Sequence, residues 1–231
     1  MMTSHTRSIT TAFILAIPVA ACSSAVRAPA QTPSTSISAA KEAGDSAASA
    51  KAKADSVRLP YTDGDIQFMS HMIGHHAQAI AMARWAPTHG ASPSVRTLAD
   101  RIINAQQDEI ATMQRWLRDR NQPVPEANPA GMKMMMGGVE HVMLMPGMLT
   151  EAQMKQLDQA RGPEFDRLFL TFMMQHHRGA VSMVRQLFDT YGAGQDETVF
   201  KFASDVNVDQ TTEIARMDKL LIALTLGIRT P

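Results

Sequence analysis

From Pro60 onward, apolar residues recur at three- and four-residue spacing, the period of helices that bury one face. Thr62 or Asp63 caps a first helix that runs to about Ala86, where Pro87 and Gly90 stop it. Ser92-Pro93 opens a second helix with proline at its first position. Its apolar positions are Leu98, Ile102, Ala105, Ile110, Met113 and Leu117, and Pro123 and Pro125 end it. Gly162-Pro163 opens a third helix through Phe165, Phe169, Phe172, Met173, Ala180 and Leu187 to Gly192. A fourth spans about Glu197 to Leu226 through Phe202, Val206, Ile214, Met217 and Leu221, with Gly227 as its C-cap. No strand pattern competes, so the chain reads as all-α.

The same pattern occurs twice. Asp65-x-x-Phe68, Met72, His75-His76 and Met82 return as Asp166-x-x-Phe169, Met173, His176-His177 and Met183, at a constant offset of 101 residues. The following helices match as well: Gln106, Glu109, Ile110 and Met113 correspond to Gln210, Glu213, Ile214 and Met217 at an offset of 104. One helical hairpin cannot cover its own apolar stripe; two make a four-helix bundle. The domain then covers 60–226, with repeat one at 61–120, a connection at 121–160 and repeat two at 161–226. Seven methionines crowd the connection between Met132 and Met148, interspersed with glycines and His141. Thr150 to Leu157 reads as a short capped helix.

The start of the chain lies outside this pattern. Arg7 precedes an apolar run, Ala12 to Ala21, that is short for a membrane span. Val19-Ala20-Ala21-Cys22 resembles a bacterial lipoprotein signal, with the single cysteine at the lipidated position. Residues 1–21 are therefore expected to be a signal peptide, and 22–59, rich in Ala and Ser, a flexible tether. Ser23 rather than Asp after the cysteine favours the outer membrane. Removing the signal takes Arg7 and leaves 21 basic against 22 acidic residues, a net charge of −1. That balance argues against nucleic acid as a partner. It also leaves no cysteine for a disulfide or thiolate site.

Metal ligands would have to come from His, Met, Asp or Glu. On the first helix, Met72, His75 and His76 share a broad face, although the two imidazoles point about 100° apart. Only one of each pair is expected to face the core, leaving the other at the solvent margin. Met82 lies seven residues beyond His75, about 10.5 Å along the axis, which is awkward for a shared coordination shell. Glu109 and Glu213 lie on apolar stripes, where a carboxylate needs a partner. Each therefore either pairs with a histidine as a buried polar pin or joins His and Met around a metal. A di-iron carboxylate site needs Glu-x-x-His, which is absent. Thioethers favour Cu(I), while imidazole serves either copper oxidation state. The segment Met132, Met134, Met135, Met136, His141, Met143, Met145 and Met148 is a second candidate for metal capture.

The string Phe-x-x-x-Met-x-x-His-His-x-x-Ala-x-x-Met, followed by Gln-x-x-Glu-Ile-x-x-Met, resembles the bacterial domain-of-unknown-function family 305, over about 60 to 225 and in both halves. The resemblance implies a ferritin-like four-helix bundle, exported, with some members associated with copper. Carried over by position, the ligands would be Met72, His75, His76, Met82, Met173, His176, His177 and Met183, with Glu109, Met113, Glu213 and Met217 from the partner helices. His71 departs from the repeat, because its counterpart is Phe172. The resulting expectation is a lipid-anchored copper-binding protein on the periplasmic side, with copper passed to or from a copper-handling partner. Two alternatives stand beside it: a metal-dependent oxidase, and a structural lipoprotein without metal. No hydrolase elbow or phosphate loop is present, and the balance leans away from an enzyme.

Overall fold

The structure is a computed structural model that describes residues 61–228. The signal peptide, the tether and Cys22 lie outside the described residues. Five helices are present among them: α1 (Asp63–Ala83), α2 (Pro93–Asp119), α3 (Glu151–Gln159), α4 (Pro163–Asp189) and α5 (Glu197–Thr225). α1 packs along α2 and α4 along α5, so the helices form two hairpins, and α1 and α4 meet between them.

Local chemistry sets the helix ends. Thr62 caps α1 through a reciprocal box with Asp65, and Thr150 caps α3 through one with Gln153. Pro93 and Pro163 occupy first-turn positions, where their missing N–H is harmless. Asp196 caps α5 by accepting from the N–H groups of Thr198 and Val199. It also accepts from Trp116 Nε1 at 3.0 Å and from Arg120, which ties the end of α2 to the start of α5.

The repeated aspartates fasten the hairpins to each other. Asp65 is fully buried and accepts the Gly194 N–H at 2.7 Å, from the turn between α4 and α5. Asp166, 2% exposed, accepts the Ser92 N–H at 3.1 and 3.2 Å, from the turn between α1 and α2. Each histidine helix thus begins against the far turn of the other hairpin, and α1 and α4 run antiparallel. Burial raises the Asp166 pKa despite the hydrogen bonds from Ser92, which pull it down.

The connection departs from the all-helical expectation. Met132–Met136 (β1) and Val139–Met143 (β2) form an antiparallel ribbon in which Met134 pairs with His141. Gly137 and Gly138 turn it, both at positive φ (60° and 82°), as a two-residue hairpin turn requires. The run of methionines hides this signal, because methionine carries little strand preference and the ribbon is too short to show alternation.

Candidate metal site

The four histidines sit where α1 and α4 cross. All four are fully buried. The expectation that one histidine of each pair lies at the solvent margin is therefore wrong. In this bundle each histidine helix has two neighbours, so a side chain 100° round from the centre is still covered by the other helix of its hairpin.

The inner pair is His75 and His176, with ring centroids 3.8 Å apart. His75 Nε2 lies 3.0 Å from the Pro146 carbonyl, and His176 Nε2 lies 3.0 Å from the His75 carbonyl. A carbonyl only accepts, so Nε2 carries the proton in each ring and Nδ1 carries the lone pair of the neutral form. Burial and the neighbouring histidines, partly offset by the Pro146 carbonyl, hold the His75 pKa down at about 3. Burial first, then His75 and the outer histidines, holds His176 well below its ordinary value. Both rings are neutral at physiological pH, with lone pairs free of proton competition.

The outer pair turns to the partner helices. His76 Nε2 and Glu109 Oε2 are 2.7 Å apart, as are His177 Nε2 and Glu213 Oε2. The second contact is a well-formed hydrogen bond. The first is as short but poorly aligned, and neither of its two atoms has another partner. Both carboxylates reach solvent, at 19% and 17% exposure. Glu109 opens on a groove with Asp108, Glu197, Asp205 and Asp209. Burial, with Glu109, Glu213 and Asp205 close by, raises the Asp209 pKa.

Nδ1 of all four histidines is buried without a hydrogen-bond partner, as are both amide atoms of Gln106 and the Gln210 oxygen. Such groups are uncommon in folded proteins and often mark a ligand site. Among the described residues, no three His, Cys, Asp or Glu side chains group as a metal cage. A metal held here would need thioethers.

Six of the repeated methionines are buried in the two core clusters. Met72, Met113 and Met183 fall in one buried cluster, and Met173, Met217 and Met82 in the other. The antiparallel crossing resolves the 10.5 Å spacing noted above: each distal methionine joins the layer beside the other repeat's histidines. One thioether layer lies on either side of the imidazoles.

The connection segment divides. Met145 and Met148 are buried in the cluster with Met72, and Met132 is packed against it. Gly147, at φ 78°, lies so close to Gly179 that a Cβ on Gly179 would come within 1.9 Å of the Pro146 oxygen. This contact seats Pro146 over His75. Met135, His141 and Met143 are instead exposed on the ribbon, and the side chains of Met134 and Met136 lie outside what is described. Three features escaped the sequence reading. The staple role of Asp65 and Asp166 was visible only as part of the repeat. The Pro146 carbonyl has no side-chain signature. Gln78, which accepts the Leu149 N–H and donates to the Pro129 and Leu149 carbonyls, looks like any polar helix residue.

Comparison with known proteins agrees with this architecture. A DUF305 protein of Streptomyces coelicolor, described as secreted, is 28% identical, with a TM-score of 0.59 over 73% of this chain and 96% of that one. A DUF305 fragment from Deinococcus radiodurans is 29% identical, with a TM-score of 0.58 over 70% and 97%. CopM in its Cu(II)-bound form is 29% identical, with a TM-score of 0.53 over 68% and 95%, and its Cu(I)-bound form gives 0.51. An uncharacterized protein of Acanthamoeba polyphaga mimivirus is 39% identical over 56 residues, about a third of its length (37%). Residues 65–221, which hold both histidine pairs and both glutamates, match the domain of unknown function DUF305, and the chain belongs to that family.

Proposed function

We propose that this is an exported, lipid-anchored copper-binding protein. Its two hairpins form a ferritin-like four-helix bundle that sequesters or transfers copper through His and Met side chains, with Cu(I) the favoured state. The observation that carries the reading is the set of buried, unpartnered Nδ1 atoms beside two layers of thioethers. Thioethers are soft donors that favour Cu(I), and neutral imidazole binds copper in either state. CopM, similar over two thirds of the chain, has been solved with both Cu(I) and Cu(II). The Val19-Ala20-Ala21-Cys22 motif supports export and a lipid anchor. Copper is cargo in this reading, and Glu109 and Glu213 orient the outer histidines from behind, as carboxylates commonly do for metal-binding imidazoles.

Competition titration of Cu(I) against a chelator tests it. Replacing His75, His76, His176 and His177 by Ala should abolish tight binding, and His75→Gln with His176→Gln should weaken it in a better-packed core. Equal affinity in native and variant proteins refutes the proposal. One observation favours a second reading: both glutamates already contact a histidine at 2.7 Å, as polar pins would. Pins alone predict that Glu109→Gln and Glu213→Gln lower stability while leaving copper uptake at zero before and after.

A further inference from the structure

The two repeats share their histidines and methionines, but the structure opens a cavity in one repeat at positions that the other repeat fills. It measures about 410 Å3 and is lined by His71, Met145 and Met183, with Asp63, Gln67 and Pro146. Three chain segments contribute: α1, the connection and α4. The repeat offset of 101 residues gives each wall an internal control. The counterparts of Gly64, Gln67 and His71 are Phe165, Leu168 and Phe172, and that of Met183 is Met82. All four are buried in one apolar cluster, with Trp85, the counterpart of Gln186, packed against it. Identical backbone positions are thus solid core in one half and a half-open chamber carrying an imidazole and two thioethers in the other. Met145 has no counterpart, because the connection supplies it.

We infer that this chamber is a docking site for a soft monovalent cation, bound by His71, Met145 and Met183, from which the ion passes to the inner histidines. The inference deepens the copper reading and rests on it. A neutral imidazole with two thioethers suits Cu(I) or Ag(I) and offers little to Mg2+ or Ca2+. The Asp63 carboxylate in the same wall supplies attraction for a cation. Pro146 belongs to this wall and its carbonyl lies 3.0 Å from His75 Nε2, so the chamber adjoins the buried centre directly. His71 is partly exposed, unlike the four fully buried histidines, and is the imidazole an arriving ion meets first.

The test uses the full chain with 13C-methyl methionine and Ag(I), which does not change oxidation state in air. Substoichiometric Ag(I) should shift the Met145 and Met183 methyl signals before those of Met173 and Met217. His71→Phe copies what the second repeat carries at this position, so the backbone accommodates it. In that variant the Met145 and Met183 response should require at least roughly tenfold more Ag(I), the scale on which losing a supporting group weakens a metal site. The Met173 and Met217 response should persist. Met145→Leu, which conserves volume, should likewise displace the Met183 response. If Met145 and Met183 respond no earlier than the others and His71→Phe changes nothing, the chamber is not a metal site, while the copper reading stands. If no methionine responds, both fail.

Discussion

The bundle end where α1 begins and the end where α4 begins are built from the same repeat and filled differently. At the first, Gly64, Gln67 and His71 line a chamber capped by the Met145–Met148 turn. At the second, Phe165, Leu168 and Phe172 close the space. What the ends share is the fastening: a buried aspartate holding the opposite turn, a methionine layer, and a histidine pair with its glutamate. The duplicated parts hold the fold and the central donors together, and the unduplicated parts decide whether these equivalent positions are open or filled.

The largest test of this contrast removes the filling. Phe165 is fully buried, and Phe165→Ala should destabilise by about 4 kcal/mol, through lost burial and the cavity left behind. Gln67 occupies the equivalent of Leu168 at the open end and is exposed, so Gln67→Ala should stay within about 0.5 kcal/mol. Urea denaturation of both variants measures the difference. Comparable losses would mean that the open end is as tightly packed as the closed one.

The next test acts on the centre that both ends share. Unfolded histidine takes a proton below about 6.5, whereas folded His75 takes one only near 3. Between these values the unfolded state binds more protons, so stability is full above 6.5 and falls as pH falls. With a slope approaching about 1.4 kcal/mol per unit once pH is below 6.5, His75 alone removes about 2 kcal/mol between pH 6.5 and 4.5. His176 is lowered for the same reason and acts in the same direction. Urea midpoints of metal-free protein at the two pH values give the readout, and a flat profile would show that the inner rings are not held neutral.

Much of this was legible in the sequence where repetition made it so. The starts of α1, α2 and α4 follow from Thr62, Pro93 and Pro163, because caps and prolines act locally. The Asp, Met, His and Glu positions stood out because they recur. Burial of His76 and His177 was not legible, since a single-helix projection cannot show how far a neighbouring helix wraps round. Nor was the grouping of Met82 with Met173, which depends on the antiparallel crossing. The ribbon and the Pro146 carbonyl were hidden for another reason: backbone groups and methionine runs carry no pattern of their own.

Gly179 tests how the turn is seated over the open end. Its Cβ would meet Pro146 O at 1.9 Å and Gly147 Cα at 2.6 Å, both backbone atoms that cannot swing aside. Gly179→Ala should cost about 2 kcal/mol or more and release the Pro146 contact with His75. Gly74 on α1 is the matching control, since the nearest atom to its Cβ is Asn128 O at an ordinary 3.5 Å. Gly74→Ala should stabilise by up to about 1 kcal/mol through helix propensity. Thermal unfolding of the pair separates close packing from propensity.

The smallest difference lies between the two outer pairs, and it asks whether the duplicated site is symmetric. His177 donates a well-formed hydrogen bond to Glu213, whereas His76 approaches Glu109 at the same 2.7 Å off the favourable line. A hydrogen bond to a charged group contributes about 1.5–3 kcal/mol, and a misaligned contact gives much less. Because both carboxylates are partly exposed, the lower end of that range applies. Glu213→Gln should therefore cost about 1.5 kcal/mol and Glu109→Gln less than about 0.5 kcal/mol in metal-free protein. If copper loading draws His76 into line, adding Cu(I) should shrink this gap. Denaturation midpoints of the two variants with and without metal decide the matter, and equal losses in metal-free protein would mean that the two halves hold their outer histidines alike.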